Sequence, residues 1–560
     1  MHPTQAHPVC PGGACTTAPA SFEAAGFCNR TCVIGMKHTS TTSSAKICVT
    51  LTAAVCALAC QSFAQSAQAT PQKDAQAPAA LAAQKQSLSL KELVEKLRAS
   101  NKTIRSKQAE GQIAATGIDR AASAFQPLAN ISATHGKSIT KNTFEESMIR
   151  QGTGLYDRKG NDYSVGVSQL LASTGAKLEV KSTLSRFLTN IPDYNRPEGA
   201  YDNRSNLGFS ITQPLVRDAG PTVTNARLQV AKLDATAADH ATRDTETSVV
   251  AEAIMAYHEM VFAQHRVQAA QEKIRNGQRL LVEAQAINRK GRLPDSDVWE
   301  VENALNRFMA GLSEAQQVER EKINRVRTML LSVAADSPQG LLAVDALPAV
   351  TDKTLNADES LRTAMSRRDD YLMRKVQAER EGVQLAYTQN QTLPRVDLVA
   401  SYGMNGLEYA ASRAYSWSRM SDYPTWSVGL QASFPLGINL QAQSDLKAAL
   451  IRREDALLGL KSVEVQISND IDTTLSMRST AVERWDLWKQ VHAREKQQLE
   501  LERRKFTAGR SDTREVLLRE ERVINALLTV YEQQMAVARA EVLLDAAQGT
   551  LLDSFADPKK

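Results

Sequence analysis

Between Pro221 and Gly291 the chain runs about seventy residues without another proline, and a second proline-free stretch of similar length runs from Asn439 to Gly509. Both are rich in Ala, Gln, Glu, Arg and Leu, which enter helices with little loss of side-chain freedom. At about 1.5 Å per residue each stretch predicts a rod of roughly 100 Å, far beyond the usual globular helix. Val250, Ile254, Tyr257 and Val261 recur along the first at spacings of four, three and four. Leu450, Leu457, Leu460, Ile467, Ile471 and Leu475 mark a comparable stripe on the second. So narrow a stripe on so long a rod suits rods packed side by side rather than one compact core.

The rest of the composition agrees with an elongated molecule. Aromatic residues are only 5% of 560, and the net charge of +5 includes no dense Lys/Arg run of the kind nucleic acid requires. All seven cysteines lie between Cys10 and Cys60. Lys37, His38 and Lys46 precede a short apolar run, Ile47–Ala59, and small-residue cleavage sites follow at Ser62-Phe63-Ala64 and Ala67-Gln68-Ala69. That order predicts a secretory signal over 36–64, with 1–35 read as an upstream translation artefact and cleavage near Ala64. The exported chain is then free of cysteine. The spacings Cys10-x4-Cys15 and Cys28-x3-Cys32 fit no standard zinc site, and Ala57-Leu58-Ala59-Cys60 is only a weak lipidation signal.

Residues 65–87 read as a disordered linker, 88–336 as a first repeat, 337–356 as a connector, 357–553 as a second repeat and 554–560 as a tail. In each repeat a helical segment ends at a proline, Pro127 or Pro394, and passes into residues of alternating polarity. Alternation is clearest at Val396, Leu398, Ala400, Tyr402 and Met404, and again at Trp426, Val428, Leu430, Ala432 and Phe434. Period two over such runs predicts β-strands, here over about 128–213 and 395–434. Leu407–Pro424 between them reads as a loop. The first strand segment is longer by 46 residues, and Val165, Val167, Leu178, Val180 and Leu184 around Ser173-Thr174-Gly175 predict an additional hairpin inside it. Each strand segment returns to a long helix (221–290 and 439–508), a glycine tip and a shorter helix (295–336 and 512–553).

Alternating strands of nine to eleven residues have the length of tilted membrane-spanning strands. Such strands must close into a barrel, and four or six per chain are fewer than the eight with which single-chain barrels begin. Several chains sharing one barrel resolves the shortfall.

The ordered set of motifs resembles the TolC family of outer-membrane channels over nearly all of residues 88–553. It comprises the helix-to-proline segments at Pro127 and Pro394 and the strand-to-helix turns Thr212-Gln213-Pro214-Leu215 and Ser433-Phe434-Pro435-Leu436-Gly437. The tip turns Lys290-Gly291-Arg292 through Asp297-Val298, and Phe506-x-x-Gly509-Arg510 through Glu515-Val516-Leu517, complete it. The resemblance implies an α+β membrane protein: a homotrimer with a shared transmembrane β-barrel continued by a periplasmic α-helical barrel. It implies a passive exit duct for a tripartite efflux pump or type I secretion system. The partners would be a periplasmic adaptor, an inner-membrane pump or ABC exporter, and outer-membrane lipid.

Under that resemblance the adaptor docks at Gly291, Arg292, Gly509 and Arg510, and the narrowest ring is lined by Asp297, Asp512 and Glu515. Where the family can carry a second acid one turn on, this chain has Leu518. The plainer reading makes Asp295 and Asp512 helix caps and puts Asp297 and Glu515 at positive helix ends. No catalytic constellation, phosphate loop or metal motif is present, and His240, His258, His265 and His492 are scattered along helices. The sequence therefore predicts no enzyme and no cofactor. The competing reading is a periplasmic coiled-coil adaptor that spans no membrane. Duplicated, proline-bounded strand pairs weigh against it.

Overall fold

The computed structural model describes residues 86–191, 196–197, 199–331, 341–351, 355–420 and 422–555. The cysteine-containing segment, the stretch read as a secretory signal and the last five residues fall outside that range.

A short strand β1 (Gln86–Leu88) leads into α1 (Leu90–Ser100) and α2 (Lys102–Ala122). Sequence periodicity suggests one continuous helix here, but Asn101 interrupts it with an extended backbone. Its side chain accepts from the Thr103 and Ile104 N–H groups, and so caps α2. Its amide also donates to the Met329 carbonyl at 3.1 Å. The second half repeats the break at Arg368, between α7 (Ala357–Arg367) and α8 (Asp369–Gln391). Arg368 reaches both Asp370 and Asp470 at 2.9 Å. Both breaks stand twenty-six residues ahead of the proline that opens the strands, Pro127 or Pro394.

The long helices are α5 (Ala226–Asn288, 63 residues), preceded by a single turn α4 (Pro221–Thr224), and α10 (Leu440–Thr507, 68 residues). Their partners are α6 (Asp295–Met329) and α11 (Thr513–Gln548). The stripe on α5 is buried: Val250, Ile254, Tyr257 and Val261 pack with Leu93 and Leu97 of α1 and Ile323 and Val326 of α6. The Tyr257 hydroxyl donates to the Leu88 carbonyl at 2.9 Å and lies 3.2 Å from the Asp345 carboxylate. Burial pushes its pKa up to about 12. Leu88 ends β1, which pairs in parallel with β6 (Leu341–Ala343), and Asp345 follows β6 by two residues. The end of the expected linker and part of the connector are thus ordered against each other.

The stripe on α10 behaves differently. Ile467 and Ile471 are buried, but Leu450 and Leu457 remain about half exposed. Ile451, Leu458 and Val465 are exposed as well, at a spacing of seven. Apolar residues at heptad spacing on a rod without a facing rod form an unfilled coiled-coil seam.

Among the described residues six antiparallel strands make the main sheet, in the order β2 (Leu128–Lys141), β3 (Leu155–Leu170), β4 (Lys177–Thr189), β5 (Asp202–Pro214), β7 (Arg395–Glu408) and β8 (Pro424–Ser433). The hairpin β3–β4 sits between β2 and β5, with both neighbours in continuous register. Pro127 and Pro394 immediately precede the first residues of β2 and β7, where the chain leaves the helices. The segment read as a loop at 407–424 contains a helix, α9 (Ala411–Met420). Its small residues Ala414 and Ser418, four apart, are fully buried, and Ser205 donates a hydrogen bond to the Ala414 carbonyl at 2.5 Å.

Alternation divides the sheet into two faces. One register row runs Val167, Val180, Phe209, Tyr402, Trp426 from β3 to β8, and the next toward the helices runs Leu178, Ile211, Ala400, Val428. The intervening row, on the other face, is Ser168, Glu179, Ser210, Ser401, Ser427. The edges β2 and β8 are exposed along their whole length. Among the described residues no helix is long and apolar enough to cross a membrane.

Candidate functional site

Two features demand a functional explanation: the helix reversals, and a long sheet with an apolar face and two open edges. The first reversal joins α5 to α6. Gly291 takes a left-handed backbone (φ +71°) and its N–H donates to the Asn288 carbonyl at 2.7 Å. Arg292 N–H then reaches back to the Ile287 carbonyl at 3.3 Å. The second reversal repeats this with Gly509 (φ +68°), whose N–H donates to Phe506, and with Arg510, whose N–H donates to Lys505 at 2.8 Å. A residue with a Cβ is strained in that region, which explains glycine at both ends. Nothing lies near either glycine's missing side chain, and Gly291, Arg292, Gly509 and Arg510 are all exposed.

One apolar cluster locks the two reversals together. Leu280, Ala284, Val301 and Ala304 of the first hairpin pack with Phe506 and Val516 of the second. An ion pair spans them at the surface, Arg514 Nε to Glu300 Oε1 at 2.8 Å. That bond, with the nearby charges of Asp512 and Asp297, holds the Arg514 pKa above its ordinary value. Within the second tip Ser511 donates to Glu502 at 2.5 Å. This hydroxyl, then the Lys505 ammonium, holds the Glu502 carboxyl below the usual range.

Asp512, Asp297 and Glu515 thus gather around the start of α11 and α6, each with a local partner. Asp512 caps α11 by accepting the Glu515 N–H at 2.8 Å. Glu515 pairs with Arg519 at 2.9 Å, and Arg519 also donates to Gln498 at 2.6 Å. Asp297 accepts from the Ser296 hydroxyl at 3.2 Å and stays half-buried in the first turn of α6. Asp295 does not cap its helix. The cap position belongs to Pro294, and Asp295 accepts from the Asn288 amide at 2.7 Å, closing the turn from outside. Sequence reading missed the Arg514–Glu300 pair, since no local signal connects residues more than 200 positions apart.

Among the described residues no group of three or more His, Cys, Asp or Glu side chains could hold a metal ion. His258 is buried on α5, its Nδ1 without a hydrogen-bond partner. Burial pulls its pKa down to about 4, which keeps it neutral.

Paired long helices with two reversals at one end and an antiparallel sheet at the other constitute the α+β fold of outer-membrane channels. The solved outer-membrane channel OprN matches with a TM-score of 0.59 at 17% identity, over 82% of this chain and 90% of its own. CmeC of Campylobacter jejuni matches with a TM-score of 0.59 at 13% identity, over 82% of this chain and 86% of its own. VceC of Vibrio cholerae gives 0.57 at 14%, over 82% and 96%. Residues 360–550 match the family model described as outer membrane efflux protein. In fold the chain is similar to these outer-membrane channels, and the family match is confined to its second half. No curated protein matches it significantly.

Proposed function

We propose that the protein is the outer-membrane exit duct of a tripartite efflux pump or type I secretion system, a passive conduit through outer membrane and periplasm. The observation that carries this is the sheet. Its apolar face continues across β3, β4, β5, β7 and β8, while both edges are left with unpaired backbone groups. In lipid such edges cannot stay open, so β8 of one copy pairs with β2 of the next. The exposed heptad seam on α10 gives the helices the same reason to associate. Three copies then make one barrel and one helical tunnel, with the two repeats of each chain side by side in the wall.

The tips face the periplasmic end. Gly291, Arg292, Gly509 and Arg510 present exposed backbone and positive charge to an adaptor, through which an inner-membrane pump or ABC exporter supplies the energy. Asp297, Asp512 and Glu515 line the narrowest ring, where a cluster of acids favours cations. The Arg514–Glu300 pair latches one hairpin to the other, and opening the ring requires its release. The wall carries no chemistry of its own.

Cell fractionation with unboiled and boiled samples on a denaturing gel tests the reading. The protein should sit in the outer membrane and migrate as an oligomer until boiled. A soluble periplasmic fraction would instead place it with the adaptors.

A further inference from the structure

We infer that the hairpin β3–β4 is part of the membrane wall, so that each copy contributes six strands and the barrel of three has eighteen. The inference rests on the trimeric duct proposed above. The outer-membrane section is then as wide as the helical tunnel beneath it, and cargo size is selected at the tips alone.

Three observations carry the hairpin into the wall. First, it is not appended to an edge but inserted between β2 and β5, hydrogen-bonded on both sides, so β2 cannot reach the rest of the sheet without it. Second, it keeps the two faces of its neighbours. Val167 and Val180 fall in one row with Phe209, Tyr402 and Trp426, while Ser168 and Glu179 fall in the next with Ser210 and Ser401. A hairpin in water would need no apolar face in register with that of the wall. Third, β3 and β4 have 16 and 13 residues, and a tilted membrane strand needs only about nine to eleven.

The width follows from the strand count. With strands about 4.8 Å apart and tilted by about 40°, eighteen strands enclose a backbone cylinder about 36 Å across. Twelve, the number left if the hairpin stood aside, enclose about 24 Å. Each copy also supplies four rods of helix: α5, α10, and the two stacks that pair short helices end to end. Twelve rods at about 9–10 Å spacing form a ring about 35–38 Å across. The wider barrel continues that ring without a step; the narrower one would need a funnel. After side chains of about 5–6 Å are subtracted on each side, the eighteen-stranded bore is about 25 Å, in the range that leaves an aqueous channel in porins.

The test uses the full trimer in liposomes, with single cysteines introduced into the cysteine-free mature chain and labelled with an environment-sensitive fluorophore. Val180→Cys and Val428→Cys should both be quenched by brominated lipid, and Glu179→Cys should not. Quenching at Val428 without quenching at Val180 would leave the duct standing and remove the hairpin from its wall. Quenching at neither would sink the membrane-spanning reading itself. Glu179→Cys should also react, from the extracellular side, with maleimides on polymer coils up to about 20 Å wide. Exclusion of every coil above about 12 Å would refute the wider bore.

Discussion

The apolar face of β8 offers the sharpest single substitution. Val428 is 65% exposed in one copy, so no packed neighbour is displaced by a longer side chain. Its register partners on the same face are Ala400, then Ile211, then Leu178, an uninterrupted apolar row. It stands fifth of the 10 residues in its strand, near the middle of the span. If this face meets lipid, Val428→Arg costs about 2–4 kcal/mol per copy, and three times that in a trimer. Ser427 is one residue away and points to the opposite face, where its hydroxyl meets Ser401 at 2.7 Å. Ser427→Arg gives up that bond, about 1 kcal/mol, and places the charge in a water-filled lumen. The assay is the yield of heat-dissociable oligomer in the outer membrane. Val428→Arg should lose most of it and Ser427→Arg should keep it. Equal yields would refute the assignment of faces, and with it the barrel.

Three further outcomes follow from the geometry. Glu515→Gln should weaken block of single-channel current by multivalent cations, and unchanged block would take Glu515 out of the constriction. Arg514→Ala, which removes the bridge to Glu300, should raise single-channel conductance without altering oligomer yield. His258 is neutral in the fold because burial pulls its pKa down to about 4, while in the unfolded chain it takes a proton below about 6.5. Its contribution is therefore complete above about pH 6.5 and is lost as pH falls toward 4, by about 2 kcal/mol at pH 5. His258→Gln should flatten the drop in unfolding midpoint between pH 7.5 and 5.

Much of the fold was legible because its signals are local and periodic. The alternation at Val396–Met404 lies on β7, and the glycines expected to reverse the long helices have left-handed backbones at 291 and 509. What escaped depends on partners far along the chain. The interruptions at Asn101 and Arg368 follow an unbroken apolar pattern, and their distant anchors, Met329 and Asp470, leave no local signal. The helix at 411–420 was hidden among aromatic and charged residues, because its signal is just two small side chains that rest on the sheet. Of the tip acids, Asp512 shows its capping role in sequence. The pairing of Glu515 with Arg519 was within reach at a spacing of four, whereas Arg514 with Glu300 was not. Whether those acids face a lumen depends on the neighbouring copies.

The central claim is that the open edges β2 and β8 are closed by sister copies in the outer membrane. The mass of the particle extracted from that membrane in mild detergent, without boiling, addresses it directly. The account predicts three chains per particle. A single chain, or a particle recovered only from the soluble fraction, would contradict it.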